Sequence, residues 1–276
     1  IAFILGIYSK LINAIKSFDS QWLAMIFTLN FKGAFQRPHF GFLIPLGIGI
    51  FFAILFFTHI VPLPLLVRTH SEIVYSLFLG LILGSILLFL YQLKAILFSK
   101  YLIFLVLGVI AGACCINLVP SSTPDDNWFI FICGVLSISA MLLPGISGSF
   151  ILLMLNKYAY ILNAIGHFEV TVIMPFVFGI ITGLIFFSRL ISCVFKDFYH
   201  QTMLFMIGLL VVSLYVIWPF QHRFYDIYNE KEILISSLPY IPELVNQELS
   251  YSIAMIVFGL LIVIILSRIS KESVTI

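Results

Sequence analysis

The chain has 276 residues, 62% of them apolar and 9% charged, with a formal net charge of +2. So much apolar side chain exceeds what one soluble core can hide, and lipid must solvate part of it. The near-neutral balance and the lack of any long basic run exclude a nucleic-acid partner.

In chain order, the sequence opens at Ile1 within an apolar stretch, with neither Met nor a charged leader. A signal peptide is therefore not expected, and a missing upstream segment is. Near-uninterrupted apolar runs then occupy 42 to 60, 73 to 91, 101 to 118, 170 to 188, 201 to 219 and 251 to 267. Each approaches the roughly 20 residues that cross a hydrocarbon layer about 30 Å thick. Backbone groups in lipid need internal partners, and residues 51 to 57 are apolar without alternation, so helices are predicted rather than barrel strands. The predicted fold class is all-α and polytopic. Trp22, Trp128 and Trp218 lie near segment ends, where an interfacial aromatic belt belongs.

Cys114, Cys115, Cys133 and Cys193 sit inside apolar segments without metal-ligand spacing, which predicts small buried helix residues and neither metal nor cofactor. The six histidines are scattered, and no carboxylate pair falls in an apolar segment at helical spacing. An enzyme is not expected.

The chain also repeats itself. IAFILGIYSKLINAI at 1 to 15 aligns with ILLMLNKYAYILNAI at 151 to 165, matching Ile1, Leu5, Tyr8, Asn13, Ala14 and Ile15 with Ile151, Leu155, Tyr158, Asn163, Ala164 and Ile165. Further along, Pro45, Gly49, Ile50, Phe56 and Phe57 coincide with Pro175, Gly179, Ile180, Phe186 and Phe187. Gly80, Leu81 and Ser85 then match Gly208, Leu209 and Ser213, and Tyr101 and Ile103 match Tyr251 and Ile253. The order is preserved, which predicts a duplication: a first repeat at 1–118 and a second at 128–269, in one membrane domain. By the same alignment, a counterpart of Pro144-Gly145-Ile146-Ser147-Gly148-Ser149 is expected just ahead of Ile1.

Residues 128 to 142 make about 22 Å of helix, short for a span, and the stretch after the motif is expected to be similar. Pro144 disfavours helix at Leu143, and Gly145 and Gly148 allow angles that other residues resist, so the chain should break here. Three readings compete: a re-entrant hairpin that returns to its own side, two full spans, and a single broken span through 128 to 165. With a returning hairpin, ten of the 14 Lys and Arg gather on one face and four on the other; a broken span gives nine and five. The positive-inside rule favours the hairpin. Three net crossings per repeat then set the two copies in opposite orientations, with 16 to 41 and the C-terminus cytoplasmic.

A Gly-rich break that opens a helix at membrane depth offers free N–H groups and hydroxyls to an anion. Gly145, Ile146, Ser147, Gly148 and Ser149 are the predicted phosphate-binding residues. Gly145 and Gly148 allow close backbone approach, Ser147 donates, and Ser149 donates or caps the next helix. Arg189 and His59 occupy equivalent positions and form a second tier, for phosphate contact or, for Arg189, for snorkelling to the interface. Asn13 and Asn163 are pathway ligands or interhelical hydrogen-bond partners.

IAFILGIY near the start, MLLPGISGSFILLMLNKY in the middle and the Pro219-Phe220 pair resemble a bacterial membrane family once known only as a domain of unknown function, the PopT-like polyprenyl-phosphate transporters. The resemblance runs over essentially the whole chain, although the family's first Pro-Gly-x-Ser-Gly-Gly is absent. It implies two inverted repeats, each a re-entrant hairpin plus three transmembrane helices. It also implies return of undecaprenyl phosphate across the bacterial plasma membrane for cell-envelope synthesis, with membrane lipids as surroundings. The rival readings are a carrier of a small soluble anion and a non-transporting membrane scaffold.

Overall fold

The computed structural model of the chain describes residues 5–18, 20–28, 30, 33, 35, 37–93, 101–117, 123–143, 145–228, 231–242 and 247–274. Helices α1 (Ile7–Lys16) and α2 (Ser20–Phe27) come first. Helix α3 (Phe40–Leu55) runs on into a π-helical turn at Phe56–Ile60. Then come α4 (Leu63–Thr69), α5 (Ser71–Gln92), α6 (Leu102–Ile116), α7 (Asn127–Met141), α8 (Gly148–Met154), α9 (Tyr158–Gly166), α10 (Val170–Asp197) and α11 (Tyr199–Val216). Strands β1 (Gln221–Tyr228) and β2 (Lys231–Pro239) precede the last helix, α12 (Gln247–Val274).

Among the described residues, five helical segments are long and apolar enough to cross a membrane: Phe40–Ile60, Ser71–Gln92, Val170–Asp197, Tyr199–Val216 and Glu248–Ile269. The fold is that of an all-α, multi-pass membrane protein. The run predicted at 101 to 118 yields a helix of only 15 residues, and its last residue lies outside the described ones. Between the last two of these five segments the chain forms an antiparallel hairpin, with Gln221 opposite Pro239 and Tyr228 opposite Lys231. Tyr225 and Phe224 on β1, with Tyr228 and Ile227 near the turn, supply the aromatic and β-branched content that favours a strand.

The chain divides into two compact units, and each draws on both halves of the sequence. In the first, residues 48–94 and 211–276, α5 lies along α12. A Cβ placed on Gly80 would stand 2.2 Å from the Ile256 carbonyl, and one on Gly84 3.0 Å from Val263. Residue numbers rise together along both helices, so the two run parallel. In the second unit, 6–47 and 95–210, α7 crosses α10 the same way. Gly134 abuts the Phe176 carbonyl, Gly179 that of Phe131, and Gly183 the backbone of Val135. A third crossing, Gly108 of α6 on Gly208 of α11, brings each glycine against the carbonyl three residues before the other. Lipid tails are as apolar as leucine, so helices in a bilayer associate by close backbone approach, which only glycine allows here.

The parallel course of α7 and α10 excludes a single broken span through the motif region. A single broken span would leave α10 antiparallel to α7; instead, the segment between them brings the chain back to the end from which α7 starts. The return differs from expectation in one respect. The stretch after the motif forms two helices of seven and nine residues, bent by 109°, rather than one of about 15. The bend falls at Asn156, with φ of 54°. Its counterpart 150 residues earlier, Gly6, has φ of 67° and also opens a helix.

Helix α9 closes a core with α7, α8 and α10, built from Ile130, Cys133, Leu152, Ile161, Ala164, Val172 and Phe176. A second cluster joins α1 and α10 to the end of α7 through Ile12, Leu142 and Ile191. Of the cysteines expected to be buried, only Cys133 is; Cys115 is half-buried, and Cys114 and Cys193 are exposed, the Cys193 thiol donating to the Asp197 carboxylate at 3.6 Å. Small residues are tolerated on exposed helix faces as readily as inside, so composition alone did not separate the two cases.

Candidate functional site

The break between α7 and α8 is built from both sides. At its near end, Leu142 carries the last turn of α7, and its carbonyl accepts a hydrogen bond from the Tyr8 hydroxyl at 2.9 Å. Tyr8 comes from α1, so a residue 134 positions away fixes where the first helix of the hairpin stops. Gly145 follows with φ of 97°, a region that residues with a Cβ rarely occupy. The same missing Cβ would stand 3.1 Å from Leu209 of α11, so Gly145 is required both by conformation and by space. Pro144 lies outside the described residues.

At the far end, Ser147 precedes α8 in an extended conformation, φ −98° and ψ 133°, and its hydroxyl does not cap the helix. Instead the Ser147 and Ser149 hydroxyls stand 2.7 Å apart and hydrogen-bond to each other. Both serines are exposed, as is Gly145, while Gly148 between them is buried. Burial of Gly148 has a cause: a Cβ there would come within 2.6 Å of the Ser137 carbonyl, and the Ser137 hydroxyl donates to the Gly148 carbonyl at 3.1 Å. Helix α8 is thus held against α7 at its start, leaving two hydroxyls and the first N–H groups of α8 on the open side. By helix geometry those N–H groups have no acceptor within the helix. With only seven residues behind them, the macrodipole adds little, so discrete donors carry the anion chemistry.

The base of the hairpin is clasped too. Lys157, the residue that precedes α9, has a buried side chain although it is charged. Its Nζ pairs with the Asp125 carboxylate and donates to the Thr123 carbonyl at 2.7 Å, both just ahead of α7. The Tyr160 ring lies beneath it, 5.6 Å from Nζ to the centroid. Satisfaction of this cation by a carboxylate, a carbonyl and an aromatic face is what lets it sit among apolar groups.

Gly145, Ile146, Ser147, Gly148 and Ser149 form one break; the second-tier residues are on other elements. Arg189 is on α10, where Ile191 packs on Leu142. It stands two residues from Ile191, about 200° around the helix, and is exposed. His59 is in the π-helical turn of the other unit. Asn13 and Asn163 are exposed on α1 and α9. Beside each, Ala14 and Ala164 are 0% and 2% exposed, so the matched pair that packs is the alanine rather than the asparagine. Sequence reasoning missed Tyr8, Ser137 and Leu209 as partners of the break. Tyr8 and Leu209 left a signal, as matched positions of the repeat; Ser137 left none.

Comparison with known proteins fits this architecture. The model of an undecaprenyl phosphate translocase-like family matches residues 1–235. A polyprenyl-phosphate transporter of Vibrio cholerae serotype O1 is 34% identical over 221 residues, 80% of this chain and 71% of the relative. A polyprenyl-phosphate transporter of Staphylococcus aureus is 30% identical over 211 residues, 69% of this chain and 74% of the relative. No solved structure matches. With most of its length covered, including the α7–α8 break, the chain belongs to the undecaprenyl phosphate translocase-like family.

Proposed function

We propose that the protein is a transporter that returns undecaprenyl phosphate from the outer to the inner leaflet of a bacterial plasma membrane, supplying carrier lipid for envelope synthesis. The observation that carries this reading is the exposed Ser147–Ser149 hydroxyl pair at a glycine break between helices of a multi-pass membrane protein. Family membership supports it, as do the two relatives named polyprenyl-phosphate transporter. A phosphate monoester carries about −1.5 to −2 charges near neutral pH and takes several donors, while its apolar tail stays in lipid. Gly145, Ile146, Ser147, Gly148 and Ser149 hold the headgroup, with Ser147 and Ser149 turning from each other to the phosphate oxygens. Arg189, His59, Asn13 and Asn163 are secondary contacts along its path.

In this reading 1–118 and 128–269 are inverted repeats that rock against each other around the break, with the lysine-rich face and the C-terminus cytoplasmic. The parallel α7 and α10 support the returning hairpin on which that orientation depends.

The test is leaflet exchange of undecaprenyl phosphate in vesicles reconstituted with the protein, wild type beside Ser147→Ala. Loss of one hydrogen bond to a charged group, about 1.5–3 kcal/mol, is expected to slow exchange roughly 10- to 100-fold. Exchange that proceeds equally without the folded, inserted protein overturns the lipid-carrier reading.

A further inference from the structure

On the opposite side of α1 from the break lies a cavity of about 690 Å³ that the hairpin does not use. Its polar lining is Lys10 and Asn13 of α1 and His39 just before α3; its apolar lining includes Phe35, Phe40 and Phe42. Lys10 and Asn13 are three residues apart and share one face of the helix. That face is turned away from Tyr8, Ile12 and Ile15, which look toward α7 and α10 or are buried. The His39 position is fixed by the start of α3, since its carbonyl accepts from the N–H groups of Phe42 and Leu43 at 2.8 and 3.0 Å. Pro38 beside it is fully buried.

The lining is one-sided in charge. A permanent cation, an imidazole and an amide face the space, and no carboxylate is among the described lining residues. Lys16, the next cation on α1, is engaged with the Ser192 hydroxyl at 3.3 Å. The rest of the described lining is largely aromatic: Phe35 and Phe40 stack with centroids 4.9 Å apart at 26°, and Phe40 meets Phe18 edge-on at 6.1 Å. A cavity that offers both donors for an anion and phenyl rings matches a molecule with an anionic head and an apolar chain.

We propose that this cavity is a second binding site, for an amphiphilic monophosphate: Lys10, His39 and Asn13 take the phosphate oxygens, and the Phe35, Phe40 and Phe42 rings cover the first carbons of the chain. It deepens the reading of Proposed function, because the lipid carried past the break would be held here as well, beside the basic segment from Lys10 to Arg37. Lysine supplies a compact charge that tolerates varied headgroup orientations, as a station for loading or release needs. The aromatic wall distinguishes a phosphate that bears a chain from a free one.

Trp22 is a built-in reporter, because its ring contacts Phe18 at 4.9 Å and Phe18 contacts Phe40. In purified full chain with Trp128→Phe and Trp218→Phe, dodecyl phosphate brominated along its chain is expected to quench Trp22 saturably. Lys10→Gln with His39→Gln should weaken that binding at least tenfold and Lys10→Arg restore it, whereas Ser147→Ala leaves it unchanged. Unaltered binding in the Lys10→Gln, His39→Gln variant overturns the proposal, as does loss of binding in Ser147→Ala. Displacement by inorganic phosphate at concentrations equal to the probe would make this a site for a free anion and overturn the amphiphile assignment. No step depends on transport, so saturable quenching without leaflet exchange sinks the transport reading alone, and exchange without quenching sinks the cavity alone.

Discussion

Gly145 combines two requirements in one residue: φ of 97° and a Cβ-sized space closed by the Leu209 backbone. Gly145→Ala is expected to lower stability by about 1–2 kcal/mol, read as a shift of the unfolding midpoint in detergent. Ser76 and Ser252 present the reverse situation. Both are 0% exposed on α5 and α12, and neither side-chain hydroxyl has a partner among the described residues. An unsatisfied buried hydroxyl contributes nothing to offset its desolvation, so Ser76→Ala and Ser252→Ala should leave the midpoint unchanged or raise it. A fall of more than about 1 kcal/mol would show that the hydroxyl is satisfied in the bilayer. The sequence made Gly145 legible, since a Pro-Gly-x-Ser-Gly string in an apolar chain announces a break. It gave no hint that Ser76 and Ser252 share an interface, because burial of a hydroxyl depends on which helix comes alongside.

Among elements, the α7–α8 hairpin is held at the tip by Ser137 with Gly148 and at the base by Lys157 with Asp125 and Thr123. Asp125 is 67% exposed on its side chain, so much of its attraction for Lys157 is screened, and Asp125→Ala should destabilise by roughly 1–2 kcal/mol. Lys157→Met keeps the stem packing and removes the buried charge, and is expected to be milder than Asp125→Ala. The two variants compared by limited proteolysis between α8 and α9 test the order. The glycine crossings give a second contrast. Gly179 and Gly49 are matched positions of the repeat, but a Cβ on Gly179 would stand 2.1 Å from the Phe131 carbonyl and one on Gly49 meets nothing within 4 Å. Gly179→Ala should therefore destabilise by about 1–3 kcal/mol, whereas Gly49→Ala should gain up to about 1 kcal/mol of helix propensity. Equal effects at both would mean that α3 is also crossed closely by a helix. Matched sequence positions predicted matched helices here, and only packing separated their environments.

For the whole molecule, the proposed orientation makes a labelling prediction. In a cysteine-free background, Ser17→Cys should react with an impermeant maleimide only from the cytoplasmic side and His222→Cys only from outside. Reaction of both from one side would contradict the returning hairpin as the source of the orientation. By itself the sequence determined the class of the protein, the position of five long spans and the break at 145 to 149. Those properties follow from local composition and residue type, since apolar length sets a span and glycine with proline sets a break. What only the tertiary structure decided was the parallel pairing of α7 with α10 and α5 with α12, and with it the exclusion of a single broken span through the motif. It also decided the Tyr8 bond to Leu142, the split of the second half-hairpin into two bent helices, and the cavity behind α1. Each depends on which distant segments meet, and in a chain whose helices are apolar on every side, hydrophobicity names no partner; close glycine contacts and a few polar side chains do.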